Sequence, residues 1–317
     1  MKKSFDLICI GVALVDSIIR GFDPEPVSAS GFRAESGSLN VGGEAVNEAM
    51  AAAKLGLKTG IVCSLGADDA GDMIVGALSR CGVDTSRIIR DAAHPTPVTT
   101  MFVNADGTRK SITNGAHRYN FRPERDSARF NGARALVLGS LFRAPFDDPE
   151  IIYTVLTAAK AAGQLVFADT KLPNFRFLSL ADLRDSLPMV DYITPNEDEA
   201  RYYSGKDTPE EMAEVFLGYG AKNVIIKLGA RGCYFSNAET SIRLPACKIR
   251  AVDATGAGDN FLAGFAGEIL RGADPDAALR FANACGAICA GAVGAGTGLQ
   301  NREQVLRFLA AEQARQG

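Results

Sequence analysis

Short apolar runs along this chain alternate with longer segments whose apolar positions recur every three to four residues. The run at 5–11, FDLICIG, ends in glycine and predicts a first strand. At 45–55 the alanines Ala45, Ala49 and Ala53 share one face, predicting a helix that stops at Gly56. A strand is expected at 59–64 and a helix at 69–80. Between 96 and 113, two strand-like runs flank Asp106–Gly107, a hairpin signal. Beyond residue 120 the rhythm changes. Short apolar strands are expected at 135–139, 165–169, 192–194 and 224–228. Helical segments lie between them, near 149–162, 197–203 and 209–219. Strand and turn character follows at 232–244, and helices near 259–271, 275–290 and 302–313 close the chain. Strands that alternate with helices imply a parallel sheet covered on both faces, an α/β fold. No internal repeat or low-complexity linker interrupts it. The expectation is a single domain over 1–317 with a small β appendage built from two separated pieces, 12–40 and 94–120. Hinged over the strand ends, such an appendage would act as a lid. Its exposed sheet face would need cover, which a second copy of the chain could supply as a homodimer.

Composition narrows the function. The chain has 317 residues, 47% hydrophobic and 22% charged, the balance of a soluble globular protein. A formal net charge of −3 gives no reason to expect nucleic acid or an anionic membrane as partner. No apolar run approaches the roughly 20 residues of a membrane span. The first residues superficially resemble a signal peptide, but Asp6 and Asp16 interrupt them and no small-residue cleavage site follows. Seven cysteines, an odd number without a CxxC pair, point to reduced thiols and a cytoplasmic setting. The two histidines, His94 and His117, count against a His-based triad or a multi-His zinc site. Acid–base work would fall to Asp or Glu. The glycine-rich strings at Gly66 and Gly294 lack the lysine of a P-loop, and Gly11 begins no GxGxxG.

The strongest chemical signal is AVDATGAGDNFLAGFA, residues 251–266. Gly256, Ala257 and Gly258 leave backbone N–H groups uncovered ahead of a helix expected to begin near Asp259. Unpaired N–H groups and the helix dipole make such a start a natural anion site. A carboxylate there repels phosphate, unless Asp259 takes the proton from a hydroxyl that attacks the phosphorus. The competing explanation is an Asp serving as helix N-cap.

Three further segments accompany it: VGGEAVNEAMAAAKLG at 41–56, TPNEDEA at 194–200 and VIIKLGARGCYF at 224–235. In this order and spacing, from Gly11 to about Phe308, the chain resembles the ribokinase (PfkB) family of carbohydrate kinases. The resemblance implies a three-layer α/β/α core with a mostly parallel sheet and a β lid. It implies transfer of the γ-phosphate of ATP to a hydroxymethyl group. By position, Asp259 corresponds to the base and Gly256, Ala257 and Gly258 to the anion hole. Asp16, Gly42, Gly43 and Asn47 correspond to the sugar site. Asn196 and Glu199 correspond to a motif that organises Mg²⁺ and the ATP phosphates; alone, the pair would read as an N-cap with its capping-box acid. Lys227, Gly229 and Gly232 fall on the nucleotide side, and Asn283 near the adenine. Many relatives hold a monovalent cation beside the anion hole. The matching positions are Asp253, Thr255, Cys289, Ala292, Gly294 and Gly298, so K⁺ is implied, although Gly298 stands where relatives often offer a hydroxyl. Arg109 and Lys110 could cap an anionic group from the lid, or form an exposed basic hairpin. Two other functions stay open: a nucleoside kinase, for which Phe32, Phe102 and Tyr119 offer lid aromatics, and a non-catalytic sugar-binding regulator.

Overall fold

The computed structural model describes residues 3–21, 34–104, 108–114 and 121–316. The strands of its first part are β1 (Phe5–Ile10), β2 (Leu14–Arg20), β3 (Ser36–Gly42), β4 (Thr59–Val62), β5 (Ser64–Gly66), β6 (Ile89–Asp91), β7 (Val98–Val103) and β8 (Arg109–Thr113). Those of the second are β9 (Ala133–Leu141), β10 (Leu165–Thr170), β11 (Tyr192–Ile193), β12 (Asn223–Lys227), β13 (Cys233–Asn237) and β14 (Ser241–Leu244). The helices are α1 (Glu44–Lys54), α2 (Asp69–Arg80), α3 (Pro149–Ala161), α4 (Glu197–Ser204), α5 (Pro209–Gly218), α6 (Ala257–Leu270), α7 (Pro275–Ala290) and α8 (Arg302–Gln316).

Eight strands form the central sheet, in the order β14-β13-β12-β11-β10-β9-β1-β4. From β12 to β4 every pairing is parallel; β13 and β14 close one edge antiparallel. Successive residues of a strand point to opposite faces, and both faces are buried here. Leu7 and Cys9 pack with α1, α2, α6, α7 and α8, while Ile8 and Ile10 pack with α3, α4 and α5. Val137 and Phe167 follow the first set, Leu138 and Ala168 the second. That two-sided burial is why these strands read as unbroken apolar runs. It also accounts for the signal-like start: β1 is an inner strand between β9 and β4. Among the described residues no helix is long and apolar enough to cross a membrane. All seven cysteines are free thiols.

The second sheet runs β3-β2-β7-β8 and draws on the two separated pieces expected from the sequence. β2 and β7 pair parallel, while β3 and β8 flank them antiparallel. The Asp106–Gly107 turn lies outside the described residues, but the strands on either side of it pair as a hairpin. The chain passes from β3 into α1 through Gly42 and Gly43. Gly43 has φ 95°, and a Cβ there would strike the carbonyl of Val12, so only glycine makes this joint.

Two expectations are corrected. The strand expected at 59–64 breaks at Cys63 into β4 and β5, and β5 leaves the main sheet to pair with β6. Helix α6 begins at Ala257, with Gly256 as N-cap at φ 75°, not near Asp259. Asp259 thus stands inside the first turn and caps nothing.

Candidate active site

The site gathers at the carboxyl ends of β9, β10 and β12, where the starts of α1 and α6 meet them. Helix α6 carries Phe261, Phe265 and a run of small residues, and is buried nearly all round. Its first turn is therefore fixed by the core. Asn260 locks the turn, donating from Nδ2 to the carbonyls of Gly256 (2.8 Å) and Ala295 (3.0 Å). Gly256 is packed so closely on Ala295 that a Cβ would collide with it. The N–H of Ala257, expected to face an anion, turns back to the carbonyl of Ala254 at 3.2 Å. The N–H groups of Gly256 and Gly258 have no partner among the described residues, and neither has that of Asp259. They form the free donor set at the positive end of the helix dipole.

Asp259 is buried, and its Oδ2 accepts from Asn47 Nδ2 at 2.7 Å. This bond joins the start of α6 to α1, across 212 residues of sequence. Burial pushes the Asp259 carboxyl up; Lys171 pulls it back, Glu44 and Asp169 push it further, and the Asn47 bond lowers it, leaving it at about 6. The ordinary aspartate expected from the sequence is thus a tuned one. Asn47 Oδ1 is buried with no donor among the described residues.

Four groups in this cluster were not singled out as site residues by the sequence. Glu48 is fully buried, and neither of its carboxyl oxygens has a hydrogen-bond partner among the described residues. Oxygens of Glu48, Asp169 and Asp259 lie within 4.8 Å of one another. Burial first, then Asp169 and Asp259, push the Glu48 carboxyl well above the usual range. So dry a space, already holding other acidic groups, disfavours the charged form of Glu48. Asp169, Thr170 and Lys171, at the end of β10, each touch a different part of the site. Asp169 Oδ1 accepts from Lys227 Nζ at 2.6 Å and from Thr194 Oγ1 at 2.9 Å. Thr170 Oγ1 donates to Glu199 Oε2 at 2.8 Å. Lys171 Nζ pairs with Glu44 Oε1 at 3.2 Å. The available signal was DTK directly after a buried apolar run, at the strand end where open α/β sheets place their ligands. Glu44 and Glu48, one turn apart in an alanine-rich helix, were a second one.

Asp16 lies in β2 of the small sheet, beside the Gly42–Gly43 joint. A Cβ on Gly42 would run into Asp16 Oδ2, so glycine lets the carboxylate lie against the backbone. Burial raises the Asp16 carboxyl, and Glu44 raises it further. The expected acceptor-side set of Asp16, Gly42, Gly43 and Asn47 is brought together with Asp259.

On the other side, Asn196 caps α4, and the full capping box forms. Asn196 Oδ1 accepts from Glu199 N at 2.9 Å, and Glu199 Oε2 accepts from Asn196 N at 2.9 Å. Lys227 reaches from the end of β12 to Gly258; a Cβ on that glycine would sit 3.2 Å from Nζ. Gly229 and Gly232 have φ 58° and 92°, the latter pressed on the Leu244 carbonyl, so this loop needs its glycines for its path. Asn283, half-buried on α7, donates to the Pro245 carbonyl at 3.3 Å, apart from the carboxylate cluster. Asp253 knits the loop before α6, accepting from Thr255 N and Gly294 N, each at 3.0 Å. Cys289 Sγ lies 3.5 Å from the carbonyls of Thr255 and Ala295. Gly298 has a steric cause: a Cβ would collide with the Ile288 carbonyl, so no hydroxyl-bearing residue fits. Arg109 and Lys110 lie on β8, paired with Val103 and Phe102 of β7. His117, Phe32 and Tyr119 lie outside the described residues.

A doubly covered parallel sheet, a glycine-led helix start carrying a buried carboxylate, and a lysine beside its free N–H groups define a phosphotransferase-type site. The comparisons give the family. Residues 6–302 match the model of the pfkB family carbohydrate kinases. The chain is 31% identical over 289 residues to the 2-dehydro-3-deoxygluconokinase of Bacillus subtilis, covering 87% of this chain and 88% of that protein. It is 30% identical over 275 residues to the ribokinase of Haemophilus influenzae, covering 84% of this chain and 87% of that protein. The structure of Arabidopsis thaliana ribokinase complexed with ribose and ATP superposes with a TM-score of 0.85 at 28% identity, over 98% of this chain and 99% of that one. The chain belongs to the PfkB family of carbohydrate kinases, and is a phosphotransferase with an alcohol group as acceptor.

Proposed function

We propose that this protein transfers the γ-phosphate of ATP to a hydroxymethyl group of a small carbohydrate such as ribose, fructose or 2-keto-3-deoxygluconate. The observation that carries this is the 2.7 Å bond from Asn47 to Asp259, which ties the acceptor-side helix to the base. The acceptor lies between Asp16, the Gly42–Gly43 joint and Asn47, with its hydroxyl directed at Asp259. The unpartnered Asn47 Oδ1 takes a hydroxyl proton donor. Asp259, with a carboxyl near 6, is mostly ionised at pH 7 and a better base than an ordinary aspartate. As the acceptor oxygen bonds to phosphorus and the bond to ADP breaks, the acceptor proton passes to Asp259. The N–H groups of Gly256, Gly258 and Asp259, the α6 dipole and Lys227 take up charge on the phosphoryl oxygens.

ATP enters from the Asn196 side, over Lys227, Gly229 and Gly232, with Asn283 on the adenine side. Glu199 is buried with one oxygen engaged and the other without a hydrogen bond among the described residues, a fit for Mg²⁺ held through water. Mg²⁺ there would neutralise phosphate charge. The Asp253, Thr255 and Cys289 loop offers carbonyls to K⁺. The small sheet acts as the lid, and its outer face is the dimer surface. Leu39, Ser17, Thr100 and Ile112 pair in one row across its four strands. Leu39 and Ile112, at the two ends of that row, are 62% and 71% exposed, apolar side chains that a second copy would cover. A cytoplasmic setting agrees with the seven free thiols.

The test is an ATP-consumption screen over pentoses, hexoses, keto-deoxy sugar acids, inositols and nucleosides, run in potassium and in sodium buffer, with light scattering of the same sample. Turnover with a sugar, faster in potassium, on a dimer is the expected result. Turnover with nucleosides alone would favour the nucleoside kinase. No turnover with any acceptor would favour a sugar-binding regulator. Equal rates in both buffers, or a monomer at micromolar concentration, would remove the K⁺ or dimer assignment.

A further inference from the structure

Lys171 is a cation in the middle of an acid-lined site, and three elements combine to hold it there. It follows β10, and its backbone N–H donates to the Leu141 carbonyl at 2.9 Å, which fixes where the side chain starts. Its Nζ meets Glu44, the first residue of α1, at 3.2 Å. Glu44 is held in turn by Ser140 at the end of β9, whose Oγ donates to Glu44 Oε2 at 2.5 Å. Ser140 is buried and has φ 67°, a left-handed backbone that a non-glycine residue adopts at an energetic cost. That strained conformation aims the hydroxyl at Glu44. Burial alone would raise the Glu44 carboxyl; Lys171 and the Ser140 bond instead hold it at about 2, so the partner of Lys171 is always charged. Glu44 uses one oxygen on Ser140 and the other on Lys171. Lys171 has no other acceptor among the described residues, which leaves two ammonium N–H groups uncommitted.

The surrounding groups define where those donors act. Asp259 faces Glu44 and Glu48 from α1, Asp169 and Lys171 from the end of β10, and the thiols of Cys9 and Cys289. The second lysine, Lys227, pairs with Asp169 at 2.6 Å and lies against Gly258, on the other side of the base. Lys171 is thus the cation on the Glu44 side of Asp259, and Glu44 in turn faces Asp16.

We propose that Lys171, oriented by the Ser140–Glu44 pair, is a further functional residue of the phosphoryl transfer: it donates to the acceptor oxygen and keeps Asp259 ionised beside it. The first role rests on the kinase assignment above; the second does not. The acceptor hydroxyl gives its proton to Asp259 and one lone pair to phosphorus, and its remaining lone pair accepts from Lys171. An uncharged side chain at position 171 would leave Asp259 buried among like charges.

The test compares the parent with Lys171→Met and Lys171→Arg by two readouts. Carbon-13 NMR follows the titration of the Asp259 carboxyl in the ligand-free protein, assigned with Asp259→Asn. Steady-state kinetics then uses the best acceptor from the screen. In Lys171→Met, Asp259 should titrate higher by about one pH unit or more. The variant should also lose kcat by roughly 10²-fold with the KM for ATP unchanged. In Lys171→Arg the titration should return to near the parent value. An Asp259 titration unmoved in a folded Lys171→Met protein overturns the electrostatic role, whatever the kinetics. A moved titration with unchanged kcat on saturating acceptor overturns the contact with the acceptor. If no acceptor is turned over, the kinase assignment fails while the titration still decides the electrostatic role.

Discussion

The loop leading into α6 and the small sheet carrying Asp16 flank one site but are built in opposite ways. The loop is sewn to the core at nearly every residue: Asp253 accepts from two backbone N–H groups, Asn260 donates to two carbonyls, and Gly256 and Gly298 lie in van der Waals contact with their neighbours. The small sheet has one face on the molecule and an outer row open to solvent at Leu39 and Ile112. On the proposed assignment, the geometry around the phosphoryl group is thus set in advance by packing, as preorganised stabilisation of a transition state requires. The proposed acceptor side falls to an element with an open outer face, one that can vary without disturbing the core.

If the two regions divide the labour in this way, variants on either side should fail differently. The largest effect is expected from Asp259→Asn, which should lower kcat by ~10²–10⁴-fold while ATP binding survives, as calorimetry would read. Near-normal turnover would remove Asp259 as the base. Next, Asp16→Ala should raise the KM for the acceptor by about 10–100-fold, the loss of a charged hydrogen-bonding partner. Its kcat should stay within a few-fold of the parent and its KM for ATP unchanged. A matching fall in kcat would mean that the small sheet takes part in the chemistry and would break the comparison.

The smallest effects follow from the tuned carboxyl. Only ionised Asp259 accepts the proton, so log kcat/KM should be flat above pH about 6 and fall with unit slope below it. A limb near 4 would mean that Asp259 is not desolvated. The same shift has a cost in stability. The folded carboxyl is raised from 3.8 to about 6, so the folded state binds the proton more tightly than the unfolded chain. Stability from this group is highest below pH 4 and falls as pH rises through 6. Asp259→Asn should therefore be the more stable protein at pH 8, on the order of 2–3 kcal/mol by urea unfolding, with the gap shrinking toward pH 4. A variant less stable than the parent at pH 8 would show that the Asn47 bond outweighs the burial penalty.

Much of this was legible in the chain. Buried parallel strands advertise themselves as short apolar runs, and α2 and α7 fall where their spacing put them. The motifs at 41–56, 194–200, 224–235 and 251–266 gave the family, which the comparisons bear out. Errors came where a local pattern was overridden by contacts from elsewhere. The start of α6 slid back to Ala257 because Gly256 adopts a left-handed turn against Ala295, a partner 39 positions on. The strand at 59–64 broke because β6 offered part of it a second pairing partner.

The sequence by itself determined the order of elements, the glycines that the Gly43, Gly232 and Gly256 turns demand, and the identity of the carboxylate at the glycine-led start of α6. Those features depend on neighbours within a few residues, and periodicity and spacing record them directly. Only the tertiary structure decided which charges meet. Ser140, Glu44 and Lys171 come from three elements, the Glu48 oxygens have no hydrogen-bond partner among the described residues, and the Asp259 carboxyl lies near 6 because it is buried with groups from α1 and β10 around it. The strength of a carboxylate as a base is a through-space property, fixed by burial and by charges a few ångströms away that may stand 200 residues apart in the chain.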